Sequence, residues 1–355
     1  MKKELLILMI ITLLVTITGC EKLISNKSTN EEYKYAVISS TMTKDKSIIS
    51  LYDENGKFIK DKKIKYGGVG FSGFKESPDY IGDDVFMMAP AIYAHTNNYT
   101  LKINKNTLKA SEVPATSPNT STFFTTDDKY LYSGSASPYE TNLDKTDIKT
   151  NKIVKTAKVN VDGGVSITQK DDKLYLVSYG YENEKIKMYL SVLNKESLKL
   201  ENKIDLGYGD KWDTEKITEN YIWITKNSDE KGNLLDEVLR VNIKDFRIDK
   251  IKLPFKDLYQ TLNLNDYIYV TQNDPQGQET DNLIARINIK NNDIETFKLK
   301  NDLSICQIDE NKNEFISTDR EKMYIYNLDD FTLKKSFKIN QYDYDCLLFS
   351  SFFIK

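Results

Sequence analysis

Few side chains in this 355-residue sequence are of the types that do chemistry, and their spacing argues against most reactions. There is one histidine, His95, in a segment with Tyr93 and Asn97. A lone imidazole makes neither a histidine-rich metal site nor, without a placed nucleophile and acid, a catalytic triad. Asn227-Ser228-Asp229-Glu230-Lys231-Gly232 begins as a calcium loop does, but Lys231 holds its fifth position and Val238 its twelfth, where a bidentate acid is needed. That segment reads as the tip of a loop between two strands. The pairs Asp83-Asp84, Asp127-Asp128 and Asp171-Asp172 could serve general acid–base chemistry, yet they recur at a nearly fixed interval. Carboxylates stamped into successive repeats are turn formers, because Asp hydrogen-bonds its own backbone there. No residue here is assigned a catalytic role, and no metal or cofactor is implied. A net charge of −3 supplies no basic field for nucleic acid.

The N-terminus is a targeting segment rather than part of a fold. Lys2 and Lys3 precede an apolar, Thr-bearing run over 5–17, shorter than the ~20 residues of a transmembrane helix. The run ends in Ile17-Thr18-Gly19-Cys20. This resembles the lipobox of bacterial lipoproteins: an aliphatic residue, a small one, Gly or Ala, then the Cys that is acylated. The resemblance covers the first 20 residues. It implies a signal peptide over 1–19, a lipidated Cys20, and attachment to the extracytoplasmic side of the cell membrane. Each buried methylene contributes ~0.8 kcal/mol, so several acyl chains anchor firmly. Residues 21–32 are polar and aperiodic, and read as a flexible tether.

From Tyr33 to Lys355 the chain repeats. Residues 165–206 show one unit: short strands over 166–168, 174–177, 188–193 and 198–206, separated by polar turns. Period-two alternation marks strands with one wet face. A hairpin between the third and fourth strands recurs seven times, starting at Asp53, Ile103, Ile148, Leu193, Ile243, Ile289 and Leu328. The starts lie 50, 45, 45, 50, 46 and 39 residues apart. A second turn signal, Asp83-Asp84 through Lys312-Asn313, keeps step with the first. Four strands per ~40–50 residues is the period of a β-propeller blade, whose faces are buried only against neighbouring blades.

The copy over 147–154 resembles the Asp-x-x-Thr-Asn-Lys-aliphatic hairpin of YVTN-type propellers. Quinoprotein-type propellers are similar in this hairpin, but their recurrent tryptophans are missing: Trp212 and Trp223 are the only two. The resemblance implies the fold, a seven-bladed all-β propeller, more than a shared activity.

The ends are informative. Residues 35–38 align with a second strand, not a first, and an apolar stretch from Cys346 to Ile354 follows the last repeat. That stretch is expected to be the innermost strand of blade one, closing the ring. Cys306 and Cys346 would both lie on inner strands, as buried free thiols or bridging the seam. Long loops are expected over 66–80, 89–98, 134–146, 179–187, 207–213 and 272–282, all on one face. They carry Tyr66, Phe71, Phe74, Tyr93, His95, Tyr139, Tyr179, Tyr181, Tyr208 and Trp212, a candidate ligand face. Aromatics on loops over a rigid ring suit a protein, peptide or cell-wall carbohydrate partner. The reading is a monomeric binding or scaffold module; the alternative is a lyase, hydrolase or lactonase working at the channel mouth.

Overall fold

A computed structural model describes residues 32–70, 77–89, 99–116, 123–136, 140–211, 215–273, 280–342 and 346–355. Its strands form seven four-stranded antiparallel sheets, the blades of a ring. From the axis outward, blade 1 holds Leu348–Ile354, Tyr35–Ser40, Ser47–Tyr52 and Phe58–Ile64. Blade 2 holds Asp79–Ile81, Asp84–Ala89, Tyr99–Asn104 and Ala110–Pro114; blade 3 holds Phe123–Thr126, Tyr130–Ala136, Thr141–Asp147 and Lys152–Val159. Blade 4 runs through Gly164–Lys170, Lys173–Glu182, Lys185–Asn194 and Leu200–Tyr208, and blade 5 through Lys216–Ile217, Tyr221–Ser228, Leu234–Asn242 and Ile248–Lys252. Blade 6 consists of Leu258–Leu264, Tyr267–Gln272, Leu283–Asn288 and Ile294–Lys298, and blade 7 of Ile305–Asp309, Glu314–Thr318, Lys322–Asn327 and Leu333–Lys338.

The recurrent hairpin has one physical cause. In every blade the third strand ends at, or is followed at once by, an Asp or Asn: Asp53, Asn104, Asp147, Asn194, Asn242, Asn288 and Asn327. Each side-chain oxygen accepts backbone N–H groups two to four residues on, as Asn194 does from Glu196 and Ser197. The chain then turns through a left-handed residue: Gly56, Leu108, Asn151, Leu198, Phe246, Asn292 or Phe331. A leucine or phenylalanine at positive φ is uncommon, since Cβ crowds the following carbonyl. Here packing offsets that cost: Leu108, Leu198 and Phe331 bury their side chains in the core. The left-handed turn and a bulge at Val192/Leu193 also interrupt the alternation expected over 198–206, and Leu200 turns out to be 39% exposed.

Seven apolar cores lie between the blades, each drawing residues from two neighbours. Ala36, Ile49, Val85 and Leu101 share the core of blades 1 and 2. The next cores join blades 2 and 3, 3 and 4, 4 and 5, and 5 and 6 in turn. Phe315 and Phe331 meet Tyr269 between blades 6 and 7, and Ile316 and Ile325 meet Tyr35 and Phe352 between blades 7 and 1. The cycle is therefore complete. The C-terminal strand closes it as expected, pairing antiparallel with Tyr35–Ser40 from Tyr35↔Ile354 to Ser40↔Leu348.

Two expectations are corrected. Cys306 is buried on the inner strand of blade 7, but Cys346 is exposed and precedes its strand, at positive φ; neither forms a disulfide. The segments 134–146 and 179–187 are largely paired strand rather than long loops. In the second, Asn183 and Glu184 both take positive φ, a tight turn that lets the ladder run to Glu182↔Lys185.

Candidate functional site

The ring has two unlike faces. Tyr33 lies on the face of the tight turns, where its hydroxyl donates to Lys105 O in the blade 2 hairpin at 2.8 Å. The hairpins joining second to third strands project from the opposite face. In blade 4 these two strands are ten residues each, the longest among the described residues, and in blade 5 eight and nine. At ~3.3 Å per residue, a four-residue excess over the six-residue strands of blades 1 and 2 raises the tip by about 13 Å. The two tips meet: Lys185 Nζ lies 3.3 Å from Glu230 Oε1.

This raised rim exposes large apolar side chains. Tyr181 is 75% and Leu234 45% exposed. Tyr181 pairs across the ribbon with Ile186, on the side turned toward blade 5, whereas Tyr208 pairs with Lys187 on the side turned toward blade 3. Tyr208 is held there by its hydroxyl, which donates to Glu182 at 3.3 Å, and by Lys187, whose ammonium stands 5.2 Å from its ring. Hydrogen bonds to Glu182 and Asp205 raise the pKa of Lys187, and the Lys187 ammonium in turn lowers that of Glu182. The rim stays charged but locally neutral. Glu230 belongs to the segment that began like a calcium loop; there Asp229 Oδ1 accepts the N–H groups of Lys231 and Asn233 and makes a plain turn.

The remaining candidate residues fall elsewhere. Tyr66 packs against the core of blades 1 and 2. Tyr179 is a structural residue of the rim's base: its hydroxyl accepts from Lys211 N at 2.8 Å and donates to Lys211 O at 2.9 Å, and burial drives its pKa far up. Cys20, Phe71, Phe74, Tyr93, His95, Tyr139 and Trp212 lie outside the described residues. Among the described candidates, then, Tyr181 and Tyr208 share one ribbon, and Tyr66 lies apart from them.

Sequence reasoning missed two groups. Between blades 4 and 5, Lys211 Nζ lies 2.8 Å from Ser166 Oγ, which itself stands 2.5 Å from Glu215 Oε2. A serine beside a lysine is a nucleophile's arrangement, but the Lys211 and Glu215 side chains are wholly buried, so this trio holds blades together. The second group lines an axial cavity of about 250 Å³. Tyr80, Lys216, Asn263, Gln307 and Glu310 face it from blades 2, 5, 6 and 7. Gln307 is locked by Tyr80, which donates to Oε1 at 2.6 Å, and by Phe352 O, which accepts from Nε2 at 2.5 Å. Enclosure within the ring raises the pKa of Tyr80.

The fold and this pair of faces define a seven-bladed β-propeller. No protein-family profile matches the sequence, and no curated protein matches it by sequence. Solved structures do. Hydrazine synthase of Kuenenia stuttgartiensis superposes with a TM-score of 0.54 at 12% identity, over 74% of this chain and 78% of that one. AztD of Citrobacter koseri gives 0.52 at 11% identity, over 90% and 97%. BamB of Moraxella catarrhalis gives 0.46 at 14% identity, over 80% of each. At such identities the likeness concerns the fold alone.

Proposed function

We propose that this protein is a lipid-anchored propeller on the outer side of a bacterial cell membrane. It serves as a binding or scaffold module for a protein, peptide or cell-wall carbohydrate. The observation that carries the reading is the raised rim of blades 4 and 5, which exposes Tyr181 and Leu234 beside Tyr208 and Lys185. Rigid aromatics held on paired strands lose little entropy on binding, so they suit recognition. The rim also lies opposite the face where Tyr33 begins the domain.

Two measurements test this. Capture of envelope components by the wild-type protein is expected to fall about tenfold or more with Tyr181→Ala and Tyr208→Ala together, as for interface aromatics worth ~1–2 kcal/mol each, with an unaltered melting temperature. Undiminished capture would exclude the rim. In cells, Cys20→Ser is expected to release the protein into the soluble fraction; full membrane retention would exclude the acyl anchor.

The axial cavity supports a second reading, an enzyme such as a lyase, hydrolase or lactonase. Lys216 and Glu310 would then supply the charged groups, and Glu310→Gln would abolish turnover of whatever substrate the channel admits.

A further inference from the structure

We infer that the outer edge of blade 1 rests on anionic phospholipid headgroups, an inference that builds on the lipid anchor proposed above. Residues 57–65 hold five lysines, Lys57, Lys60, Lys62, Lys63 and Lys65, against one acid, Asp61. Six of the seven residues in Phe58–Ile64 are exposed, and Phe58 and Ile59 are each 41% exposed. Among the described residues, Lys57, Lys62, Lys63 and Lys65 make no ion pair. Asp61 is occupied by neutral donors, Ser50 Oγ at 2.9 Å and Tyr342 OH at 2.7 Å, and Glu54 is taken by Lys312. On other outer strands Lys158, Lys203, Lys250, Lys298 and Lys334 each pair with an acid, and although Lys152 and Lys155 of blade 3 make no ion pair among the described residues, no other outer strand gathers four such lysines.

Lysines on an exposed edge strand guard it against pairing with another chain. That role explains charge but not two exposed apolar side chains among the charges. Apolar groups flanked by unpaired ammonium groups instead match the membrane interface, where lysines meet anionic headgroups and the apolar groups enter the acyl boundary. The chain's own connection favours this occupant. Twelve residues, 21–32, separate Cys20 from Tyr33, and at ~3.3–3.6 Å each they reach about 40 Å at most. Phe58–Ile64 lies two strands out from Tyr35–Ser40 in the same sheet, about 10 Å at a ~4.8 Å spacing. The basic edge therefore belongs to the blade to which the tether is joined, within that reach of the lipidated residue.

All seven inter-blade cores fall within Tyr33–Lys355, a compact unit, so a chain beginning at residue 21 carries the whole fold. That unacylated chain would be sedimented with vesicles of phosphatidylcholine alone or mixed with phosphatidylglycerol. It is expected to bind the mixed vesicles only, and to leave them as salt rises. With about 1 kcal/mol, or fivefold, per lysine at a charged surface, changing Lys57, Lys62, Lys63 and Lys65 to Gln should lower binding more than tenfold. Phe58→Ser with Ile59→Thr should lower it severalfold at unchanged charge. Lys152, Lys155 and Lys158 changed to Gln, on the outer strand of blade 3, should leave it unaltered. No preference for anionic vesicles, an equal loss from the blade 3 variant, or equal binding to a soluble anionic wall polymer would each overturn the inference. Because no acyl chain is present, these outcomes are independent of the Cys20→Ser test of the anchor.

Discussion

Lys211 and Glu215 are the residues on which burial and charge are most at odds. Both side chains are fully enclosed, their closest N···O approach is 3.4 Å, and Glu215 Oε1 has no hydrogen-bond partner among the described residues. A buried pair of this kind gains little over an apolar replacement, whereas one charge left alone in the interior costs several kcal/mol. Ser166, which accepts from Lys211 and donates to Glu215, spreads the charge across the seam between blades 4 and 5. Lys211→Met is therefore expected to destabilise the protein by about 3–5 kcal/mol, measured by urea unfolding. Adding Glu215→Leu should recover most of that loss. If the double variant is as unstable as the single one, the ion pair is a net stabiliser and this account is wrong. The trio was not legible in the sequence because 45 residues separate Ser166 from Lys211 and no local period links them.

Among elements, the third strands do more than their alternation suggests. In blades 3, 5 and 6 a cation on the third strand stands opposite an aromatic on the second: Lys145↔Tyr132, Arg240↔Trp223 and Arg286↔Tyr269. Each then reaches the hairpin turn of the next blade, at Glu196, Asn292 and Asp329 respectively. Arg286 donates to Asp329 O at 2.8 Å and to Glu295 at 2.8 Å, with its guanidinium 5.2 Å from the Tyr267 ring. Adjacent blades are thus latched by polar contacts outside their apolar cores. Arg286→Ala is expected to cost about 1.5–3 kcal/mol, as for hydrogen bonds to a charged group. Arg286→Lys should restore little, since an ammonium lacks the planar fork. Full recovery by lysine would show that charge alone is at work. Turn chemistry is legible because an Asx side chain and a left-handed residue leave their mark within six residues. A latch reaching the next blade leaves none, and strand-three cations read as an ordinary wet face. The candidate rim is half legible for the same reason. Tyr181 and Tyr208 stand out by type, but the Asn183-Glu184 turn that makes a paired ribbon of 179–187 gives no glycine signal.

At the scale of the molecule, one contact converts a row of blades into a ring. Residue 354 lies beside residue 35 in one sheet, and Lys355 N donates to Lys34 O at 3.0 Å. This closure is legible from the ends of the chain, because the first repeat lacks an inner strand and the last is followed by a surplus apolar one. Phe352 and Phe353 are fully buried and feed different cores, between blades 7 and 1 and between blades 1 and 2. Losing a buried Phe costs about 3–5 kcal/mol, and a chain cut after Ile339 loses both, together with an antiparallel ladder. The inner edge of Tyr35–Ser40 is also left open to pair with another chain. Such a total rivals the whole stability of a typical domain, ~5–15 kcal/mol. The truncated chain is therefore expected to lose cooperative unfolding and to aggregate. A permuted chain makes the control: with Lys355 joined to Tyr33 by a short linker and new ends opened between Asp171 and Asp172, every blade keeps four strands. That chain is expected to unfold cooperatively, as the parent does. If the truncated protein instead melts like the parent, the seam between blades 7 and 1 is held by the remaining strands alone, and closure by Leu348–Ile354 contributes nothing to the ring.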